Sequence, residues 1–333
     1  MDVHVGLAMP THTDGYILTC GWSSIPMRIR VYILCRCVLI GFYSIKFICI
    51  PTHACEFTML ASYNDKVDST GSERLTIEGP NADIHGDSDD RGDEATVEAI
   101  SPSADGVTID GFEFTGDDSQ LMRLDDEDGV TIQNNVFGEE ATGQQQIGGG
   151  LATGDPITNL VIRDNKFDRT EGTVATIQLF GLDDVVIEDN VADGQYDEGG
   201  DAEDDTRFLQ LDPSTANGSV LDDVTISGNE VENFGGVGLQ VANIPDNADV
   251  VIKDNTVRNA VNERPERGAI AFGGEKRAED GLTVEDNTLE DLDADGGPGI
   301  SIRDEGEIDV EPSDFDEPNT FNNVDTNVVD ERD

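Results

Sequence analysis

Short β-branched runs recur along this chain, and an asparagine arrives three residues after the last apolar position of each. The pattern reads LVIRDNKF at 160–167, VVIEDNVA at 185–192, VVIKDNTV at 250–257 and LTVEDNTL at 282–289. Looser copies are VTIQNNVF at 130–137 and VTISGNEV at 224–231, and in VTIDGFEF at 107–114 Phe112 takes the asparagine place. Measured between Ile77, Ile109, Ile132, Ile162, Ile187, Ile226, Ile252 and Val284, the steps are 32, 23, 30, 25, 39, 26 and 32 residues. Each unit also holds a second alternating run: Met122–Leu124, Ile177–Leu179, Leu209–Leu211, Leu239–Val241, Ile270–Phe272 and Ile300–Ile302. Period-two alternation predicts strands with one side chain inward and the next outward. A base period in the low twenties with insertions predicts one solenoid turn per repeat.

The asparagines then acquire a structural role. A solenoid turns sharply after each strand, and asparagine tolerates left-handed backbone while its amide can bond its counterpart one coil away. Asn135, Asn165, Asn190, Asn229, Asn255 and Asn287 are therefore expected to stack as an internal ladder. Asp128, Asp184, Asp223, Asp249 and Asp280, with Asn159 in the same place, stand just before a strand and suit Asx-type turns. They recur too regularly to be one active site.

This repeated corner, apolar-x-apolar-x-x-Asn-x-apolar, resembles that of the right-handed parallel β-helix proteins of the pectate-lyase-like superfamily, across about residues 61–333. Residues 61–86 are similar to that superfamily's opening coil through Tyr63, Val67, Leu75, Ile77 and Gly79, with Ala61 and Asp65 departing from its glycine and glutamate. The resemblance implies an all-β, right-handed parallel β-helix of about eight or nine coils, closed by residues 319–329. It also implies that the asparagine corner separates the second and third sheets, and that glycans bind across the first. The amphipathic entry segment usual before the opening coil is missing.

On that first sheet the expected outward positions are Arg123 and Asp125, then Thr176, Gln178 and Phe180, then Phe208, Gln210 and Asp212, then Gln240. Amides bond hydroxyls in both directions and rings pack on the apolar faces of sugars, so this column suits a polysaccharide, while stacked glutamines also simply stabilise a solenoid face. Lys253, Arg258, Arg264, Arg267, Lys276 and Arg277 form a basic island in sequence, suited to gripping carboxylate or sulfate or else to neutralising acidic neighbours. For catalysis the candidates are Asp125, Asp212 and Arg264. Hydrolysis needs two carboxylates about 5 to 9.5 Å apart, and the two aspartates fall three coils from each other, roughly 14 Å at about 4.8 Å per coil. Asp183–Asp184 and Asp222–Asp223 are similar to polygalacturonase acid pairs but lack the companion motifs, and Arg264–Arg267 has the wrong spacing for the pectate-lyase motif. A lyase or hydrolase with a divergent site is the alternative to a binding or scaffold protein.

Metal signals are partial. Asp291, Asp293 and Asp295 match the first half of a calcium loop, with Ile302 where the closing glutamate belongs, and Asp87, Asp89 and Glu98 make a second set interrupted by Arg91. No other cofactor is expected. With one histidine and no cysteine beyond residue 61, soft-metal binding is not expected. Arg91-Gly92-Asp93 spells an adhesion tripeptide by coincidence.

Composition changes the picture in two ways. The 333 residues carry 20 Lys+Arg against 71 Asp+Glu, a net charge of -51, which excludes the basic face that nucleic acid needs. Such a surface suits molar salt, where the Debye length is about 3 Å and self-repulsion is screened. Second, residues 1–60 hold 4 Lys+Arg, 3 Asp+Glu, all five cysteines and the only tryptophan, a change of style at one point. Residues 1–58 are accordingly read as a segment foreign to the fold, from a misassigned start or as a membrane anchor, with residues 59–333 as the β-helix domain. The run 27–51 is long enough to span a bilayer, although Arg36 and Lys46 interrupt it at a cost of about 2.5 to 3.5 kcal/mol each near a helix centre. A chain opening at residue 59 would leave its first edge bare and is expected to aggregate or pair end to end. The expected location is extracellular or cell-surface, with a membrane role only if 27–51 is an anchor.

Overall fold

A computed structural model describes residues 75–331, apart from 103, 118, 143, 151–155, 169–174, 195–205, 214–219, 246–247, 261–266, 274–280, 293–296 and 304–311, together with residues 43–46. The repeats wind into a right-handed parallel β-helix with three sheets of nine, nine and eight strands. In the second sheet the strands preceding each asparagine stack in sequence order, from Leu75–Glu78 through Val107–Asp110, Ile157–Arg163 and Leu221–Ser227 to Leu282–Glu285. The third sheet runs from Thr96–Val97 to Thr320–Asn322, and the first from Gln120–Leu124 to Thr326–Asp330. Ile77 pairs with Ile109, Ile109 with Ile132, Ile132 with Ile162, Ile162 with Ile187, Ile187 with Ile226, Ile226 with Ile252, and Ile252 with Val284. The unequal steps in sequence are thus one equal step in space, with the extra residues looped out between strands.

Tyr43–Lys46 forms a strand that pairs in parallel with Leu75–Glu78 and extends the second sheet at its N-terminal edge. Those four residues lie within the run 27–51, whose remainder falls outside the described residues. Among the described residues no helix is long and apolar enough to cross a membrane.

The ladder forms as expected, and every rung follows one rule. Asn165 Nδ2 donates to Asn190 Oδ1 at 3.0 Å and to the carbonyl of Ile132 in the coil before, while its Oδ1 accepts from the backbone and side-chain nitrogens of Asn135. The same bonds repeat through Asn190, Asn229, Asn255 and Asn287, all buried. Asn319 adds a seventh rung, donating to Val284 O and Phe315 O beside the closing helix Pro312–Asp316. At the other end the backbone N–H of Phe112 donates to Asn135 Oδ1, so a phenylalanine starts the ladder through its main chain alone.

One expectation is corrected: the ladder asparagines do not take the left-handed conformation. The residue before each of the six from Asn135 to Asn287 does, with φ of 56° at Asn134 and Asp164, 52° at Asp189, 66° at Gly228 and 55° at Asp254 and Asp286. The ladder residue keeps ordinary backbone so that its amide points inward. Of the residues expected in Asx-type turns, Asn159, Asp184 and Asp223 are left-handed at 51°, 56° and 47°, with Gly106, Gly129 and Gly281 in the equivalent place in other coils, Asp128 and Asp249 are not, and Asp280 lies outside the described residues. A further left-handed set follows the third sheet at Asn233, Asn259, Asp291 and Asn323. These left-handed corners are all Asn, Asp or Gly, the residues that reach this region at least cost.

The core is filled by stacked rings as well as aliphatics. Phe114, Phe137 and Phe167 stack with centroids 4.6 and 4.7 Å apart. The next inward position in register is Ala192, too short to continue, and Phe208 enters from the corner to meet Phe167 edge-on at 5.7 Å.

Replacing Asn190 with Ala takes the acceptor from the Asn165 backbone N–H and from one N–H of its side-chain amide, and the side-chain donor from the Ile162 carbonyl, while Asn229 Oδ1 keeps the backbone N–H of residue 190. At about 1 to 3 kcal/mol per buried orphan, a loss of at least about 3 kcal/mol is expected by denaturant unfolding in molar KCl. A loss below 1 kcal/mol would contradict the ladder's structural role.

Candidate functional site

On the outward face of the first sheet the side-chain amides join into a chain. Gln120 Nε2 donates to Gln145 Oε1 at 2.6 Å, Gln145 Nε2 donates to Gln178 Oε1, and Gln178 Nε2 donates to Gln210 Oε1 at 3.2 Å. Gln240 follows Gln210 in register. Three members, Gln120, Gln145 and Arg207, were not anticipated. The strand Gln145–Gly149 carries only one large apolar residue, Ile147, so its coil lacks the alternating signature of the others. Its outward position in register is Gly148, and Gln145 folds over that glycine: a Cβ there would lie 2.3 Å from Gln145 Oε1. Arg207 also joins the chain, donating to Gln210 Oε1 at 2.9 Å.

The amides sink deeper into the surface than alternation alone suggests. Gln210 and Gln240 are each only 8% exposed, and Gln240 Oε1 is buried without a hydrogen-bond partner. Gln178 and Phe180 are half-buried, and Arg123 stands exposed at the N-terminal end of the face. Ala271 and Ser301 continue the column beyond Gln240, both buried.

Phe208 is a correction. Expected as an exposed ring beside the amides, it is 0% exposed and packs between Phe167 and Phe234 in the core. It stands at a bend before the strand Leu209–Leu211, where alternation no longer dictates direction, and the hole above Ala192 draws it inward.

The acids of this face are dispersed. Asp125 pairs with Arg123 at 2.8 Å, both about half exposed, a contact worth under about 1 kcal/mol. Asp212 Oδ1 accepts from Asn243 Nδ2 at 2.7 Å. Register places Asp125 and Asp212 three rungs apart, with Gly150 and Phe180 between, roughly 14 Å at about 4.8 Å per rung. Glu127, buried beside Asp125, accepts from the Asp125 N–H at 2.8 Å, and burial raises its carboxyl above the ordinary range despite such bonds.

The described members of the basic island, Lys253, Arg258 and Arg267, stand on or next to strands of three different sheets. The island's 25 residues are about one coil in length. Lys253 ends a strand of the second sheet, Arg258 a strand of the third, and Arg267 precedes a strand of the first. Arg258 lies between Glu232 at 3.6 Å and Glu290 at 2.9 Å, neutralising acids of the adjoining coils. Arg264, Lys276 and Arg277 lie outside the described residues.

Asp291 holds a left-handed corner and accepts from Asn323 Nδ2 at 3.0 Å, while Asp293 and Asp295 lie outside the described residues. Among the described residues no three potential ligands cluster for a metal ion. Comparison of the chain with family models, characterised proteins and solved structures gives no match.

Carboxyls elsewhere are pushed upward in the same direction. Burial raises Glu113 and Asp164, the latter opposed by His85 and Arg163, and Asp222 leads the like charges that raise exposed Asp223. Such groups hold protons at higher pH in the folded chain than in the unfolded one. Their contribution is complete below the ordinary carboxyl pKa of about 4 and fades as pH rises through the raised folded values. The melting temperature in molar KCl is therefore expected to rise from pH 7 towards pH 5, and a steady fall would contradict these assignments.

A second test separates the two aromatic residues. Phe208→Ala is expected to cost about 3 to 5 kcal/mol as a core deletion, whereas half-buried Phe180→Ala costs well under half of that. Equal losses would mean that Phe208 is not a core residue.

Proposed function

We propose that this β-helix binds polysaccharide along the outward face of its first sheet, as a secreted or cell-surface protein that does not transform its ligand. The observation that carries the reading is the amide chain Gln120–Gln145–Gln178–Gln210, continued by Gln240. A row of amides repeating at strand spacing offers donors and acceptors at intervals along a sugar chain, and Phe180 supplies an apolar face one column away. Arg207 beside Gln210 and Arg123 at the open end favour a glycan bearing some negative charge. The dispersion of Asp125 and Asp212 supports recognition over hydrolysis. Likeness of the repeat to the pectate-lyase-like superfamily agrees with this location, and the acidic surface agrees with activity in concentrated salt.

Titration of neutral and acidic polysaccharides in molar KCl tests it. Binding to at least one is expected, weakened about tenfold or more by Gln178→Ala and unchanged by Thr225→Ala on the second sheet, with no release of reducing ends or unsaturated products. Binding unaffected by Gln178→Ala, or none to any polysaccharide, would overturn the reading.

A further inference from the structure

The corner carbonyls of three successive coils are held by one loop that arises two coils earlier. After the strand Leu75–Glu78, residues 79–92 do not follow the coil but run along the solenoid axis across the asparagine corners. Gly79 N–H donates to Asp110 O at 2.7 Å, and Asp83 N–H to Asp110 Oδ1 at 3.2 Å. Farther on, Arg91 Nη1 donates to Asn134 O at 2.8 Å, Gly86 N–H to Asp164 O at 2.8 Å, and His85 Nε2 to Asp189 O at 3.0 Å, a reach of 104 residues in sequence. Because His85 Nδ1 accepts from the Asp87 N–H, Nε2 is the nitrogen that carries the proton. The three acceptors are the left-handed residues that precede Asn135, Asn165 and Asn190.

The contact is tight and internally braced. A Cβ on Gly86 would stand 2.4 Å from Lys166 N and 2.7 Å from Asn135 O, so glycine alone permits this approach. Arg91, its side chain 7% exposed, also bonds Ile84 O and grips Glu94 with two hydrogen bonds, while Asp87 pairs with Lys166 at 3.3 Å. Arg91 is thereby committed to the loop's own architecture and is withheld from any partner that reads its tripeptide.

In a solenoid each repeat ordinarily touches only its neighbours, so an end frays coil by coil. We infer that residues 79–92 act as a longitudinal strap that locks the coils from Leu75 to Asp189 into one cooperative unit, so that the N-terminal part of the β-helix opens as a whole. Opening the coil at Val107–Asp110 alone is opposed because the strap that leaves its neighbour is bonded to the three coils beyond.

Hydrogen exchange followed by mass spectrometry on the full chain in molar KCl tests this. In the unaltered protein, Val107–Asp110, Thr131–Gln133 and Ile157–Arg163 are expected to share one level of protection. In a His85→Gln, Arg91→Lys double variant, protection at Val107–Asp110 should fall about tenfold or more, with a graded loss inward, while Leu221–Ser227 and Val250–Lys253 stay unchanged. Gly86→Ala is the stronger version if it folds. Unchanged protection at Val107–Asp110, or an equal fall along the whole solenoid, would overturn the inference.

Discussion

A buried asparagine amide has two acceptor sites and two donor hydrogens, and in this protein all four are used between coils. This constraint decides the rest. Its Oδ1 must meet two nitrogens of the coil before, and its Nδ2 must reach both the amide of the coil after and a carbonyl of the coil before. Only in-register stacking satisfies them together, so a slip of one residue would orphan several polar atoms in the core. The outward faces inherit that register. The glutamines meet because Ile162, Ile187 and Ile226 sit one above another, however many residues were looped out between them.

The corner requirement also reinterprets the acidity. Asp164, Asp184, Asp189, Asp223, Asp254, Asp286 and Asp291 all hold left-handed backbone, so part of the negative charge serves chain geometry before it serves solvation. Where acids crowd around such a corner, as at left-handed Asp223, the negative charges of Asp222 first, then Asp249, Asp183 and Asp184, push its carboxyl above the ordinary range. Screening by concentrated salt relieves that repulsion without altering the backbone need that put the residues there.

What was legible in the sequence follows from the same logic. The ladder and the pairing of the second sheet were readable because an invariant spacing, Ile162 to Asn165 and Ile187 to Asn190, marks both strand and corner. The left-handed residue was assigned one place too late, since Asn, Asp and Gly crowd both positions and only the backbone distinguishes them. The coil of Gln145–Gly149 escaped notice because glycines stand where side chains alternate elsewhere. Phe208 was misdirected because its orientation depends on a vacancy above Ala192, which belongs to the coil before it and is invisible to any local pattern. Lys253, Arg258 and Arg267, neighbours in the sequence of the basic island, belong to strands or strand edges of three different sheets, because a stretch of that length is about one coil. The strap could not be read at all, since Gly86 and Asp164 become neighbours only after the intervening coils are wound.

The most direct test of the central claim is exchange of the asparagine side-chain amide protons, observed by NMR on protein labelled with nitrogen-15 at asparagine in molar KCl. Buried rungs are expected to give side-chain NH2 pairs, from Asn135 through Asn319, that persist for hours while surface asparagines exchange at once. Loss of every side-chain amide signal at the rate of free asparagine would show that no ladder exists, and the register that the whole solenoid depends on would fall with it.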